Sequence, residues 1–303
     1  MLRREFLAAA AVTPLLAASN HIGKSRISAI SDEIAKSPEE AIAFAKQYGL
    51  QWLELRGVPG AKTHYSSIPE EQVKQAAREF KDNGIRISFF NTGYLKFGFP
   101  GTEVVRRKGE EPAVREKRIA REQAQYDSHM EDLKQGIRAA HILGVDKMRV
   151  FTFLRVAEPE KLSQRIADVI GEMAEIAGKE KIRLVVENEG SCNVGTSAEL
   201  AAFMKLLPEK VGLNWDPQNG LSLKEIPFPD GYQLLPKKRI LNVQVKGHGL
   251  LDEKLKLDWP AIVRALEKDG YPGKIGLETH YFDGTVIEKS HRAMREILRI
   301  VES

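Results

Sequence analysis

Sulfur is scarce in this chain. A single cysteine, Cys192, among 303 residues excludes an internal disulfide and a cysteine-ligated metal centre. Cys192 follows closely on Glu189, so a reactive thiol is one reading and a plain small loop residue the other. Charge of one sign is also lacking. The net charge is +4, with no basic stripe interleaved with aromatic residues, which argues against nucleic acid or an anionic membrane as partner. No apolar run is long enough to span a bilayer. No linker rich in proline, glycine or serine divides the chain, and SDEIAKS stands where a doubly wound sheet would carry its phosphate-cradling glycine loop. At 42% hydrophobic and 29% charged residues, the chain has the composition of a soluble globular protein with one large core.

The first 19 residues stand apart. Arg3 and Arg4 precede an apolar run from Phe6 to Ala18, and Ala17, Ala18 and Ser19 are small enough for cleavage nearby. The RREFL start resembles a twin-arginine export signal. Residues 1–19 are therefore read as a targeting segment, and the mature protein is expected in the periplasm or outside the cell. No cysteine follows the run, so no lipid anchor is expected, nor any stable membrane attachment.

From Ile27 onward the chain repeats one design. Lys181 to Gly190, KIRLVVENEG, is a β-branched run that ends in Glu187, Asn188 and Glu189. Such a run reads as a strand of a parallel sheet covered by helices, and its carboxyl end is where ligands are bound in α/β folds. VGLNWD closes on Asp216, ILNVQVKGH carries Gln244, Lys246 and His248, and KIGLETH closes on Glu278. The successive intervals, from Glu187 to Asp216, from Asp216 to Gln244 and from Gln244 to Glu278, are 29, 28 and 34 residues. One strand–helix repeat of an eight-fold barrel takes about 30. Upstream, ISAISDEI, QWLELR, IRISFFN with its terminal Asn91, and VDKMRVFTF supply four more strands. Helix starts at Ser37-Pro38, Pro69-Glu70, Glu158-Pro159 and Asp258-Trp259-Pro260 fall between strands. The fold class is therefore α/β, a single (β/α)8 TIM barrel over residues 27–302 with a long insertion after the third strand. That insertion runs from Thr92 to about Arg121 and carries Tyr94, Phe97, Phe99 and the charge run RRKGEEPAVREKR. It either covers a bound sugar or is a solvated arm with its aromatics tucked beneath.

Glu187, Asp216, Gln244 and Glu278 bring three carboxylates and an amide oxygen to one mouth. Carboxylates gathered in a dry cavity must be protonated or share a cation. A divalent metal is the natural inference, and all-oxygen ligation favours Mg²⁺ or Mn²⁺. The motifs VVENEG, NWDPQN, NVQVKGH and GLETH, with the opening SDEI, resemble the xylose-isomerase-like TIM barrels, the sugar phosphate isomerase and epimerase superfamily. The resemblance implies metal ligands at Glu187, Asp216, Gln244 and Glu278, with the two glutamates as acid and base. Two positions depart from the family pattern. Gln244 stands in place of the usual histidine, with His248 as an alternative donor, and Asn219 stands in place of a substrate-contacting histidine.

The implied function is a metal-dependent sugar isomerase or epimerase working through an enediolate. Asn91, Glu189, Asn219, Lys246 and His248 are candidate contacts to a small carbohydrate. The same apparatus would serve a lyase on 3-keto-glycosides, and a non-catalytic sugar-binding barrel is a further reading. An endonuclease-like phosphodiesterase would need a cluster of metal-binding histidines, but only His248 and His280 fall near strand ends. Arg56 and Arg149 are expected simply to pair with barrel carboxylates. Nothing in the sequence decides between a monomer and a homo-oligomer.

Overall fold

The computed structural model describes residues 20–107 and 109–303. The segment read as an export signal lies in residues 1–19, outside the described residues. Eight strands follow in order: β1 (Ile27–Ala29), β2 (Trp52–Leu55), β3 (Arg86–Phe90), β4 (Lys147–Val150), β5 (Arg183–Glu187), β6 (Gly212–Trp215), β7 (Ile240–Lys246) and β8 (Lys274–Glu278). Neighbours pair in parallel in the order β1-β8-β7-β6-β5-β4-β3-β2. A parallel bridge between Ile30 and Glu54 joins β1 to β2 and completes the ring. This is the expected α/β TIM barrel.

Local chemistry sets the helices between the strands. Helix Pro38–Tyr48 begins where the Ser37 side chain accepts from the Glu40 amide, with Pro38 in its first turn, and stops at Gly49 in the left-handed region. Helix Ser197–Phe203 carries a capping box between Thr196 and Glu199. Helix Val286–Glu302 buries Ala293, Met294, Ile297, Ile300 and Val301. Among the described residues no helix is long and apolar enough to cross a membrane.

The insertion after β3 is shorter than the sequence suggests. Irregular chain gives way at Pro112 to a helix that continues to Leu143, so much of the charge run is helical. Proline in the first turn, a run of good helix formers and the Arg118–Glu122 pair at 2.7 Å favour this start. The aromatics take the second of their two readings. Phe97 and Phe99 are buried and stand edge-on to Phe153 with ring centroids at 5.3 and 4.8 Å, while Phe99 also meets Tyr126 of the long helix at 5.7 Å. They brace the insertion against the barrel and are not free to cover a ligand.

The strands differ from a plain apolar run on their inner face. On β7, Val243 and Val245 join the main hydrophobic core, while Asn242, Gln244 and Lys246 alternate with them and point into the ring. Ser28, Glu54, Asn91, Asn214, Asn242 and Gln244 are all buried there. Phe89 and Val185, two residues before Asn91 and Glu187, form with Leu241 a small apolar cluster apart from the main core. Glu54 gathers the amides: Asn91 and Gln244 each donate to Oε2 at 2.7 Å, and Ser28 and Asn242 donate to Oε1 at 2.9 and 3.2 Å.

Gly276 makes room for this layer, because a Cβ there would stand 1.9 Å from Glu54 Oε1. Gly276→Ala is expected to lower stability by about 2 kcal/mol or more through overpacking against a carboxylate that has no free direction. Urea unfolding of the two proteins checks this, and equal midpoints would show that the layer is not close-packed.

Candidate active site

Each principal site residue sits where a strand runs out. Glu187 is the last residue of β5, and its Oε2 accepts from Arg149 Nη1 at 2.9 Å and Asn214 Nδ2 at 2.7 Å. Asp216 follows β6 and caps helix Pro217–Ser222, its Oδ1 accepting from the Asn219 amide at 3.1 Å. Asn188 ties these two strand ends together. Its Oδ1 accepts from the Asp216 amide at 2.9 Å, its Nδ2 donates to the Asp216 carbonyl at 2.8 Å, and its own carbonyl accepts from Asn219 Nδ2 at 2.8 Å. Glu278 ends β8, and its Oε1 accepts from Arg56 Nη1 at 3.1 Å.

One oxygen from each of Glu187, Asp216 and Glu278 lies within 4.8 Å of the others, and all three residues are buried. The acidic trio expected from the sequence is thus assembled. A second grouping, Glu33, Glu278 and His280, meets the same distance criterion but is filled by Arg56, which donates to Glu33 at 2.9 Å and to Asp32 at 3.0 Å.

The other expected residues divide by depth. Lys246 enters the trio, its Nζ 2.9 Å from Asp216 Oδ2, 3.5 Å from Glu278 Oε2 and 2.9 Å from Asn219 Oδ1. Gln244 sits two residues earlier on β7 and donates its amide nitrogen to Glu54, while its Oε1 is buried and accepts nothing. Asn91 lies with it in the Glu54 layer. Glu189 is nearer the rim, bonded to Lys96 at 3.0 Å and to the Ser191 amide and hydroxyl at 3.0 and 2.9 Å. His248 is not brought into the trio. It falls in the short helix Gly247–Leu251, stacks on Tyr281 at 4.0 Å and bonds the His280 carbonyl at 3.2 Å.

Arg56 and Arg149 pair with carboxylates as the sequence suggests. The structure adds Lys96, bonded to Glu189, and His280, which the sequence places only near a strand end. His280 follows Glu278 by two residues in a left-handed backbone conformation, with Nδ1 3.6 Å from Glu278 Oε1. Its place in the GLETH motif was the available signal.

The electrostatics follow from burial and these partners. Burial, reinforced by Glu278 and Glu187, pushes the Asp216 carboxyl from 3.8 to about 6 although Lys246 pulls it down. Burial would also raise Glu278, but Lys246, His280 and Arg56 together hold it well below the usual carboxylate range. Lys246 is fixed in its charged form, because Asp216 and Glu278 outweigh its desolvation. Glu54, met only by neutral donors, is raised by burial. Burial pushes the Cys192 thiol up to about 12, so it is the plain small residue and not a nucleophile.

The family model for xylose isomerase-like TIM barrels matches residues 42–300. No curated protein matches the chain significantly in sequence. Among solved structures, the 3-keto-D-glucoside 4-epimerase of E. coli superposes with a TM-score of 0.67 at 12% identity, over 92% of this chain and 100% of that one. A D-psicose 3-epimerase, determined in the presence of D-fructose, gives 0.64 at 15% identity over 91% and 97%. The IolI protein with a bound zinc atom gives 0.63 at 14% identity over 91% and 98%. At these identities the likeness establishes the fold.

The rim carboxylate offers a test of these electrostatics. Burial alone would raise Glu189, but Lys96, Lys246 and the Ser191 amide bring it from 4.5 to about 2. A carboxyl whose pKa is depressed on folding adds stability that is full above 4.5 and is lost as the pH falls towards about 2. The stability advantage of the native protein over Glu189→Gln is therefore expected to shrink between about pH 6 and pH 3. Unfolding titrations across that range measure it, and a constant difference would contradict the assignment.

Proposed function

The chain belongs to the xylose isomerase-like TIM barrel family, and on that premise we propose that it is a sugar isomerase or epimerase in which Glu187 and Glu278 move the proton. The observation that carries this reading is the meeting of Glu187, Asp216 and Glu278 within 4.8 Å at the strand ends of the ring. Two of the similar structures are sugar epimerases, which supports a carbohydrate as substrate.

The residues present fit a divalent cation. Oε1 of Gln244 is a buried oxygen that accepts no hydrogen bond, and Oδ2 of Asp216 and Oε2 of Glu278 meet only the Lys246 ammonium, at 2.9 and 3.5 Å. Three carboxylates and an amide oxygen suit a hard ion such as Mg²⁺ or Mn²⁺. Glu187, Asp216, Gln244 and Glu278 would hold it, and when bound it would stabilise the negative charge left on the substrate oxygens as a proton departs.

The protein's own groups do the rest. Glu278, kept ionised by Lys246, His280 and Arg56, accepts a proton from the carbon next to the carbonyl. Glu187, fixed through Oε2 by Arg149 and Asn214 and within 4.8 Å of it, enters the step protonated and delivers that proton to the other side, which leaves Glu278 protonated and Glu187 ionised until the reverse step or solvent restores them. Delivery to the opposite face of the same carbon gives an epimer. Delivery to the neighbouring carbon gives an isomer. Asn219 and Lys246 beside the trio and Glu189 at the rim supply contacts to sugar hydroxyls, while Asn91 stays bonded to Glu54 in the layer below.

A second reading has a specific support. Loss of a β-substituent from a 3-keto-glycoside begins with the same proton abstraction, and the E. coli neighbour handles a 3-keto-D-glucoside. Export through residues 1–19 would bring the protein to such glycosides outside the cytoplasm.

The test is proton exchange. Protein loaded with Mn²⁺ is incubated in D₂O with free ketoses and with 3-keto-glycosides, and deuterium incorporation is followed by NMR. Glu187→Gln and Glu278→Gln are each expected to slow exchange by about 10²- to 10⁴-fold while circular dichroism stays native. Chelation is expected to suppress exchange and Mn²⁺ to restore it. Wild-type exchange in Glu187→Gln would reject the acid–base assignment.

A further inference from the structure

We propose that Lys246 is a built-in occupant of the cation site, whose ammonium closes the acidic trio in the metal-free protein and must swing out before a divalent ion binds. This rests on the reading of the trio as a cation site. The residue is placed by register: Lys246 pairs across the sheet with Glu278, while Gln244, in the position the family usually gives to histidine, pairs with Gly276. The ammonium therefore arrives level with the carboxylates from the strand that also carries the amide.

Two cations cannot share these oxygens. A hard divalent ion takes oxygen ligands at about 2.0–2.6 Å. Nζ already stands 2.9 Å from Asp216 Oδ2 and 3.5 Å from Glu278 Oε2, two carboxylate oxygens that meet no other donor. An ion bound to both would lie against the ammonium, like charge on like charge in a buried site. The lysine has somewhere to go. Its four-carbon stem is flexible, and while Asn219 Oδ1 tethers Nζ in the closed position at 2.9 Å, the Glu189 carboxylate at the rim attracts it outward.

The arrangement has two consequences. The empty site is charge-compensated, so the barrel folds without waiting for metal, and the ion must displace a tethered competitor, which weakens its binding.

Titration of Mn²⁺ into the full-length protein, with free Mn²⁺ read by electron paramagnetic resonance, separates the outcomes. Lys246→Gln is expected to bind one Mn²⁺ about tenfold more tightly than wild type or better, and to gain more in thermal midpoint on loading. Equal or weaker binding by the variant, beside a wild type that binds one equivalent, would overturn the lysine's role and leave the cation site standing. Absence of stoichiometric binding in both proteins would overturn the cation site and this inference with it. Should Lys246→Gln fail to fold, Asn219→Ala removes one tether of the ammonium and is read with the same titration. Wild-type affinity in Asn219→Ala would overturn the tether and the lysine's competition with the ion, while tighter binding, by a smaller factor than for Lys246→Gln, supports them.

Discussion

Compensation of buried charge is the constraint on which the rest of the molecule depends. Glu33, Glu187, Asp216 and Glu278 are all buried at one end of the ring. An isolated carboxylate in such a place costs several kcal/mol or loses its charge. Each is met by a cation from another strand: Glu187 by Arg149, Asp216 by Lys246, Glu33 by Arg56, and Glu278 by Arg56 and Lys246. These pairs are poor evidence for stability, since their attraction is offset by the desolvation of both partners. They are better understood as the condition under which several carboxylates can be kept buried together at one end of the ring.

Below the charges lies a layer that works differently. Glu54 has no cation and is held by Ser28, Asn91, Asn242 and Gln244, all neutral donors. Gln244 presents its nitrogen to Glu54, and its oxygen is left as the unpartnered end. The interior is thus graded along the strands, from the Phe89, Val185 and Leu241 cluster through amides to ion pairs. Alternation generates the gradient: β7 sends Asn242, Gln244 and Lys246 inward and Val243 and Val245 outward, so one short strand builds both the amide layer and the charged mouth.

Much of this was legible in the sequence because it rests on period and spacing. Apolar runs ending in polar residues at intervals near one barrel repeat placed the eight strands and put Glu187, Asp216 and Glu278 in one mouth. The long helix was misjudged at its start, because a dense charge run reads as solvated chain until Pro112 and its helix-forming neighbours are weighed. The polar inner face was obscured for another reason. Asn214, Asn242 and Gln244 sit among valines and leucines in runs whose average character is apolar. The position of Lys246 depends on register between β7 and β8, which no local pattern records. His248 was set aside from the trio by the same logic, since four residues beyond Gln244 the chain has already turned into a helix.

The glutamine and the lysine belong to one problem. A histidine in place of Gln244 would divide its duties similarly, one ring nitrogen donating to Glu54 and the other offering a lone pair upward. Glutamine preserves that polarity, nitrogen down to the carboxylate and oxygen free, but supplies a weaker donor for a metal. Two residues further along the same face stands an ammonium within reach of the same carboxylates. On the proposed reading, a weaker fourth ligand on one residue and a competing cation two residues away act in the same direction, from a site that retains an ion tightly towards one that stays charge-balanced without it.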